Sequence, residues 1–177
     1  MIYKIRVILD AEEDVFRDIA IENDNTLEDL HNTIVNAFGF ETGEMASFFT
    51  CDDNWNQEDE IPLFDTGEEP GETRTMADFA LEDLLYEKQT KIIYLYDFFN
   101  LWTFFVELAS MEETKIGETY PQLLFAHGVL PEQAPEKEFE GDDNVFSEFE
   151  DDLDDDDLDI FGGDDSFEDM GFEENWN

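Results

Sequence analysis

Long apolar patterns stop at Pro131 and Pro135, and that break decides which part of the chain can build a core. From Glu136 to Asn177 there are 20 acidic residues against one lysine, a net charge of −19. Self-repulsion at that density keeps a chain expanded. The expectation is therefore a folded domain over residues 1–135 and an acidic, disordered C-terminal tail over residues 136–177. The first 135 residues hold 30 acidic and 7 basic side chains, net −23, but also 12 of the 18 phenylalanines, enough apolar area for a core.

The whole chain carries −42, from 50 acidic and 8 basic residues. Such a surface repels phosphate backbones and anionic lipid, which sets the charge against direct nucleic-acid or membrane-surface binding. It leaves two roles open for the acid: attraction of a basic protein partner, or solubility. A single cysteine, Cys51, forms no intramolecular disulfide, and with two histidines the chain lacks the ligands of a structural zinc site. Neither a metal nor a cofactor is expected. Tyr3, Lys4, Arg6 and Asp10 interrupt any apolar leader, and no window reaches the roughly 18 to 20 apolar residues that span a bilayer. A cytoplasmic protein is the expectation, with no oligomeric state readable.

Within the first 135 residues, Tyr3, Ile5, Val7 and Leu9 alternate with Lys4, Arg6 and Ile8, the period of a half-buried strand. A turn over Ala11 to Asp14 and the apolar run Val15 to Ile21 complete an antiparallel hairpin. Thr26 followed by Asp29 is an acidic capping box. Leu27, Leu30, Ile34 and Phe38 then recur at helical spacing, and Gly39 stands where a helix ends, which predicts a helix over Thr26 to Phe38. Met45 to Cys51 reads as a third strand, with Phe48 and Phe49 on opposite faces. Cys51 to Glu60 reads as a loop carrying Trp55, and Ile61 to Phe64 as a short edge segment limited by Pro62. After a second loop and a helical turn over Ala80 to Tyr86, Lys91 to Phe98 and Trp102 to Leu108 form a central hairpin turned by Phe99, Asn100 and Leu101. The order ββαβ…ββ predicts an α+β domain: a mostly antiparallel sheet with one main helix on one face.

Candidate chemistry is sparse. His31 falls at the edge of the helix's buried stripe. Catalysis there needs an orienting carboxylate and a nucleophile, and no Ser, Cys or Thr is tied to it by a recognisable motif. His127 reads as surface or loop packing. The neighbours Asp52 and Asp53 raise the Cys51 thiol, the wrong direction for an activated thiolate. The run Asp151 to Asp159 lacks the glycine and terminal glutamate of a calcium loop. The tail is punctuated by aromatic residues, among them Phe146, Phe149, Phe161, Phe167 and Trp176, an acidic-hydrophobic alternation suited to binding a basic partner.

Two separated motifs, with three shorter stretches, carry a family resemblance. Tyr94-Leu95-Tyr96-Asp97-Phe98-Phe99-Asn100-Leu101-Trp102-Thr103-Phe104 resembles the Y-x-Y-D-F-G-D-x-W-x-H signature of the plasmid pRiA4b ORF-three-like family, also met as passenger proteins of insertion elements. Leu30 to Phe40 is similar to its L-H-x-x-I-x-x-A-F-G-W, Met45 to Phe49 falls where it has H-L-x-x-F, and Leu81 to Leu85 and Tyr120 to Pro131 fit its later part. The resemblance covers nearly all of residues 1–135 and none of the tail. It implies a β-grasp-like arrangement of sheet and helix, and a polar cluster of no established activity. Carried over residue by residue, the candidate ligand-binding positions are His31, Tyr94, Tyr96, Asp97, Asn100 and Trp102. The chain departs from the family's pattern at four positions: Phe99 stands for glycine, and three polar groups are replaced, with Asn100 for aspartate and Phe104 and Met45 for histidines. The reading that follows is a non-enzymatic interaction domain with a partner-binding or solubilising tail. The alternatives are an enzyme or small-ligand binder with a partly lost site around Asp97 and His31, and a nucleic-acid-linked mobile-element protein.

Overall fold

The opening hairpin follows the period-two pattern residue by residue. In the computed structural model, which describes residues 1–136, β1 (Ile2–Leu9) pairs antiparallel with β2 (Phe16–Glu22). Tyr3, Ile5, Val7 and Leu9 all enter the main core. Lys4 and Arg6 project from the other face, where Arg6 lies opposite Asp18 and grips its carboxylate with two bonds of 2.8 and 2.9 Å. At such an exposed site the pair fixes register more than it adds stability.

Helix α1 (Leu27–Phe38) begins at the expected cap. The Thr26 hydroxyl accepts from the Asp29 amide at 3.2 Å, and the Asp29 carboxylate accepts from the Thr26 amide at 2.9 Å. Its buried face comprises Leu27, Leu30, His31, Ile34, Val35 and Phe38, each fully buried aliphatic contributing about 1.5–3 kcal/mol. Beyond it come β3 (Ala46–Cys51), β4 (Gln57–Pro62), a single 3-10 turn (Met76–Asp78), α2 (Leu81–Leu84), β5 (Lys91–Tyr96), β6 (Trp102–Glu112) and β7 (Gln122–His127). The strands make one sheet in the order β4-β3-β5-β6-β1-β2-β7, antiparallel at every pairing. The main core lies between α1 and one face of this sheet. On the opposite face a smaller cluster gathers Phe49, Cys51 and Ile93 under Trp55, Leu95 and Phe105. This is the α+β class expected, and the β5–β6 hairpin is central in the sheet as expected.

Several expectations need correction. The loop expected over Cys51 to Glu60 ends at Asn56. The Asp52 carboxylate closes it by accepting from the amides of Asn54 and Asn56 at 2.8 and 2.9 Å, and β4 starts at Gln57. Residues 57–60 are exposed on both sides, so no alternation marks them. Pairing with β3 makes them a strand, helped by Ser47, whose hydroxyl donates to Glu60 at 2.7 Å. The sixth strand runs four residues past Leu108, to Glu112, passing a bulge between Lys4 and Ile5 of its partner.

No sequence pattern marks β7; His127 is exposed, as a surface position should be, but it ends this strand rather than lying in a loop, stacked 5.1 Å from Phe16. Arg17 ties this strand to the domain. Its guanidinium donates to the carbonyls of Phe16, His127 and Ala37 at 2.8, 2.9 and 3.4 Å, and lies 4.8 Å from the Phe38 ring centre. One buried cation thus joins β2, β7 and the end of α1, with burial pulling its pKa down. Among the described residues no helix is long and apolar enough to cross a membrane.

Candidate functional site

The tyrosines and aromatics of the Tyr94–Phe104 motif share a face because strand side chains alternate. Tyr94 pairs with Phe104 and Phe48, and Tyr96 with Trp102 and Ala46, so two rows of side chains cross β3, β5 and β6 beneath α1. Tyr94, Phe48 and Phe104 are fully buried. The end of α1 completes the arrangement. Gly39, at φ 73°, lets the Phe40 amide reach back to the Val35 carbonyl at 3.0 Å, a Schellman turn that folds Phe40 onto the sheet. Phe40 stacks on Tyr96 with ring centres 4.3 Å apart and meets Trp102 at 5.3 Å. Phe38 lies 4.7 Å from Phe104, and Phe48 4.8 Å from Tyr94. Aromatic pairs at these spacings add about 0.5–1.5 kcal/mol each beyond the area they bury.

Inside this stack sits one polar pair. His31 Nδ1 lies 2.7 Å from the Tyr94 hydroxyl, and the histidine is only 7% exposed. Burial lowers the His31 pKa to about 4, so its imidazole is neutral at neutral pH. Burial, with a smaller contribution from Tyr96, raises the Tyr94 phenol well above its usual 10. A general acid or base is most effective with a pKa near the working pH, and this pair is displaced from it in opposite directions. The Tyr96 hydroxyl donates to the Glu41 carbonyl, and its pKa is raised by burial and then by Glu44, Asp97 and Glu41.

Asp97 and Asn100 are elsewhere. They form the turn between β5 and β6, where Asp97 and Leu101 both take left-handed backbone angles, φ 58°. The Asp97 carboxylate accepts from the Phe99 amide at 3.1 Å, the Asn100 amide at 3.4 Å and the Asn100 side-chain amide at 2.5 Å. Its carbonyl accepts from Leu101 at 2.6 Å, and its amide donates to the Met45 carbonyl at 2.8 Å. The turn therefore spans Asp97 to Leu101 rather than the three residues expected. The aspartate is its organiser, in the manner of an Asx turn.

The six candidate residues thus fall into three groups: His31 with Tyr94 in the core, Tyr96 with Trp102 around Phe40, and Asp97 with Asn100 in the turn. No hydrogen bond links Asp97 to His31 among the described residues. Of the positions that stand for the family's histidines, Phe104 is fully buried beneath α1, whereas Met45, just before β3, is 36% exposed. No group of three or more His, Cys, Asp or Glu side chains is placed to hold a metal ion among the described residues. The Cys51 thiol is pushed up to about 11, first by burial and then by Asp52.

Sequence reasoning missed Arg17, whose only signal was a charge inside the apolar run Val15 to Ile21. It also missed the part of Phe40, which directly follows the helix-ending glycine. Phe146, Phe149, Phe161, Phe167, Trp176 and the Asp151 to Asp159 run lie outside the described residues.

The sequence model for the plasmid pRiA4b ORF-3-like protein matches residues 1–158. The chain belongs to that family. The family match passes Pro135, so its extent is wider than the motifs alone indicate and takes in the first part of the acidic segment. Among solved structures, a protein of unknown function from Methanosarcina mazei Go1 is similar, with a TM-score of 0.63 and 20% identity over 86% of this chain and 92% of that one. At that identity the likeness is one of fold. No curated protein matches the chain.

Proposed function

We propose that this member of the family is a non-enzymatic interaction domain, built on residues 1–135, whose acidic segment 136–177 binds a basic protein. The observation that supports this reading most is the use made of the two groups best suited to chemistry. His31 is spent on a buried bond to Tyr94, and the Asp97 carboxylate on three bonds within its own turn. The acidic segment contributes long-range attraction from its net charge of −19, which salt screens beyond about 8 Å at physiological ionic strength. Its aromatic residues contribute short-range anchoring.

The test separates the two contributions. A partner is captured from native lysate on the full chain, and its affinity is measured for the wild type and for a chain with Phe146, Phe149, Phe161, Phe167 and Trp176 replaced by Ser. Charge is unchanged, so an interaction segment loses roughly 1–3 kcal/mol for each anchor that becomes buried on binding. Equal affinities of the two chains at both low and high salt would remove the aromatic anchoring and leave attraction by charge alone.

A further inference from the structure

Parts of three connections meet at one end of the sheet: residues 10–14 of the β1–β2 turn, residues 41–45 of the loop from α1 to β3 and the β5–β6 turn, residues 97–101. Hydrogen bonds hold them together there. The Asp10 amide donates to the Thr103 carbonyl at 2.9 Å beside the β5–β6 turn, and the Asp97 amide to Met45 at 2.8 Å. The Tyr96 hydroxyl donates to the Glu41 carbonyl. These fifteen residues contain seven carboxylates, on Asp10, Glu12, Glu13, Asp14, Glu41, Glu44 and Asp97, and no lysine or arginine.

In their midst the hairpin tip is apolar. Phe99 is 92% exposed, Phe98 40%, and Leu101 and Met45 36% each. The turn does not require this: its left-handed residues are Asp97 and Leu101, and neither phenylalanine is held there by backbone geometry. Where the family signature has a glycine, this chain places a phenylalanine in water. Grouped exposed apolar side chains rimmed by polar ones mark interaction surfaces.

We propose that this end of the sheet is a second docking surface, for a basic segment that carries an apolar side chain. Phe98, Phe99, Leu101 and Met45 receive the apolar group, and the carboxylates of Asp10, Glu12, Glu13, Asp14, Glu41 and Glu44 receive the positive charge, Asp97 being held within its own turn. The proposal rests on the reading of a basic partner and adds to it a contact made by the folded domain itself. An acidic peptide is repelled by the rim, and an uncharged apolar segment forgoes its six remaining carboxylates, so the complementary ligand is both basic and apolar.

Two labelled peptides of equal positive charge test it, one of lysines with two leucines and one with those leucines replaced by serine. Binding is measured to the full chain, to Phe98→Ser/Phe99→Ser, and to the chain with the five aromatic-to-Ser substitutions in the acidic segment. The tip variant should bind the leucine peptide roughly tenfold more weakly and the serine peptide unchanged. Circular dichroism should stay the same, and the single Phe99→Ser variant, whose ring is 92% exposed, should also keep the thermal midpoint and show part of the same loss. Unchanged binding of the leucine peptide by the tip variant overturns the proposal. A loss confined to the acidic-segment variant overturns the tip while leaving the tail reading in place, and a loss confined to the tip variant does the reverse.

Discussion

The legs and the tip of the β5–β6 hairpin are adjacent in sequence and opposite in character. Tyr94, Tyr96, Trp102 and Phe104 are between 0 and 7% exposed, yet five residues of turn separate the last buried tyrosine from the tryptophan, and Phe99 among them is 92% exposed. Both regions are aromatic, so composition does not distinguish them. The difference comes from period and backbone. On the legs every second side chain faces α1, whereas at the tip two left-handed residues end the alternation and turn the chain back. An aromatic motif therefore divides into a part that builds the fold and a part that meets solvent, and only the second is free to bind.

The largest expected effect compares the two directly. Phe104→Ala removes a ring packed against Phe38, Phe40 and Tyr94 and should cost about 3–5 kcal/mol of stability. Phe99→Ala should stay within about 0.5 kcal/mol. Urea unfolding of the two variants checks this, and similar losses in both would dissolve the distinction.

The polar pair on the legs predicts an acid dependence. His31 has an ordinary pKa of 6.5 when unfolded and about 4 when folded, so below pH 6.5 the unfolded chain binds the extra proton. Stability from this group is full above pH 6.5 and is lost as the pH falls toward 4. The loss should be about 2 kcal/mol, discounted for the part of the ring near solvent. Because carboxylates titrate in the same range, the measure is the difference in slope between wild type and His31→Gln over pH 7 to 4. Parallel slopes would remove His31 from the core account.

At the tip, Asp97→Ala gives up the turn's side-chain bonds and places a left-handed angle on alanine, for an expected cost of about 1–2 kcal/mol. Asp97→Asn should recover part of it, since asparagine tolerates that angle. If the asparagine variant were the worse of the two, charge rather than turn geometry would be the reason for the aspartate.

The smallest effect concerns the chain's end. Truncation after Pro135 should leave the thermal midpoint within a few degrees, and removing net charge should stabilise the domain slightly, less so in high salt. The family match to residue 158 supplies the control. A chain ending there that is clearly more stable than one ending at Pro135 would move the domain boundary into the acidic segment.

Much of the frame was legible in the sequence because local chemistry marks it. Thr26, Asp29 and Gly39 bracket α1, and the alternation of Tyr3 to Leu9 defines β1. The parts that were not legible depend on partners distant in the chain. Gln122 to His127 carries no strand pattern, and its place as β7 comes from β2 and from the carbonyl that Arg17 holds 110 residues away. Gln57 to Glu60 is wholly exposed, and β3 alone makes it a strand. In the candidate site, the residue types were readable but their grouping was not. Whether Asp97 faced His31 or its own turn depended on a left-handed backbone angle that no spacing rule predicts.

The central claim is that the motif's polar groups are committed to the fold, and a titration of His31 tests it most directly. The C–H resonances of the imidazole are followed by NMR from pH 8 to 3.5, assigned by their loss in His31→Gln. Burial beside Tyr94 predicts a ring that stays neutral until about pH 4, with the midpoint rising when Tyr94→Ala opens the core around it. A midpoint near the ordinary 6.5 in the wild type would mean an accessible imidazole, and would contradict the account.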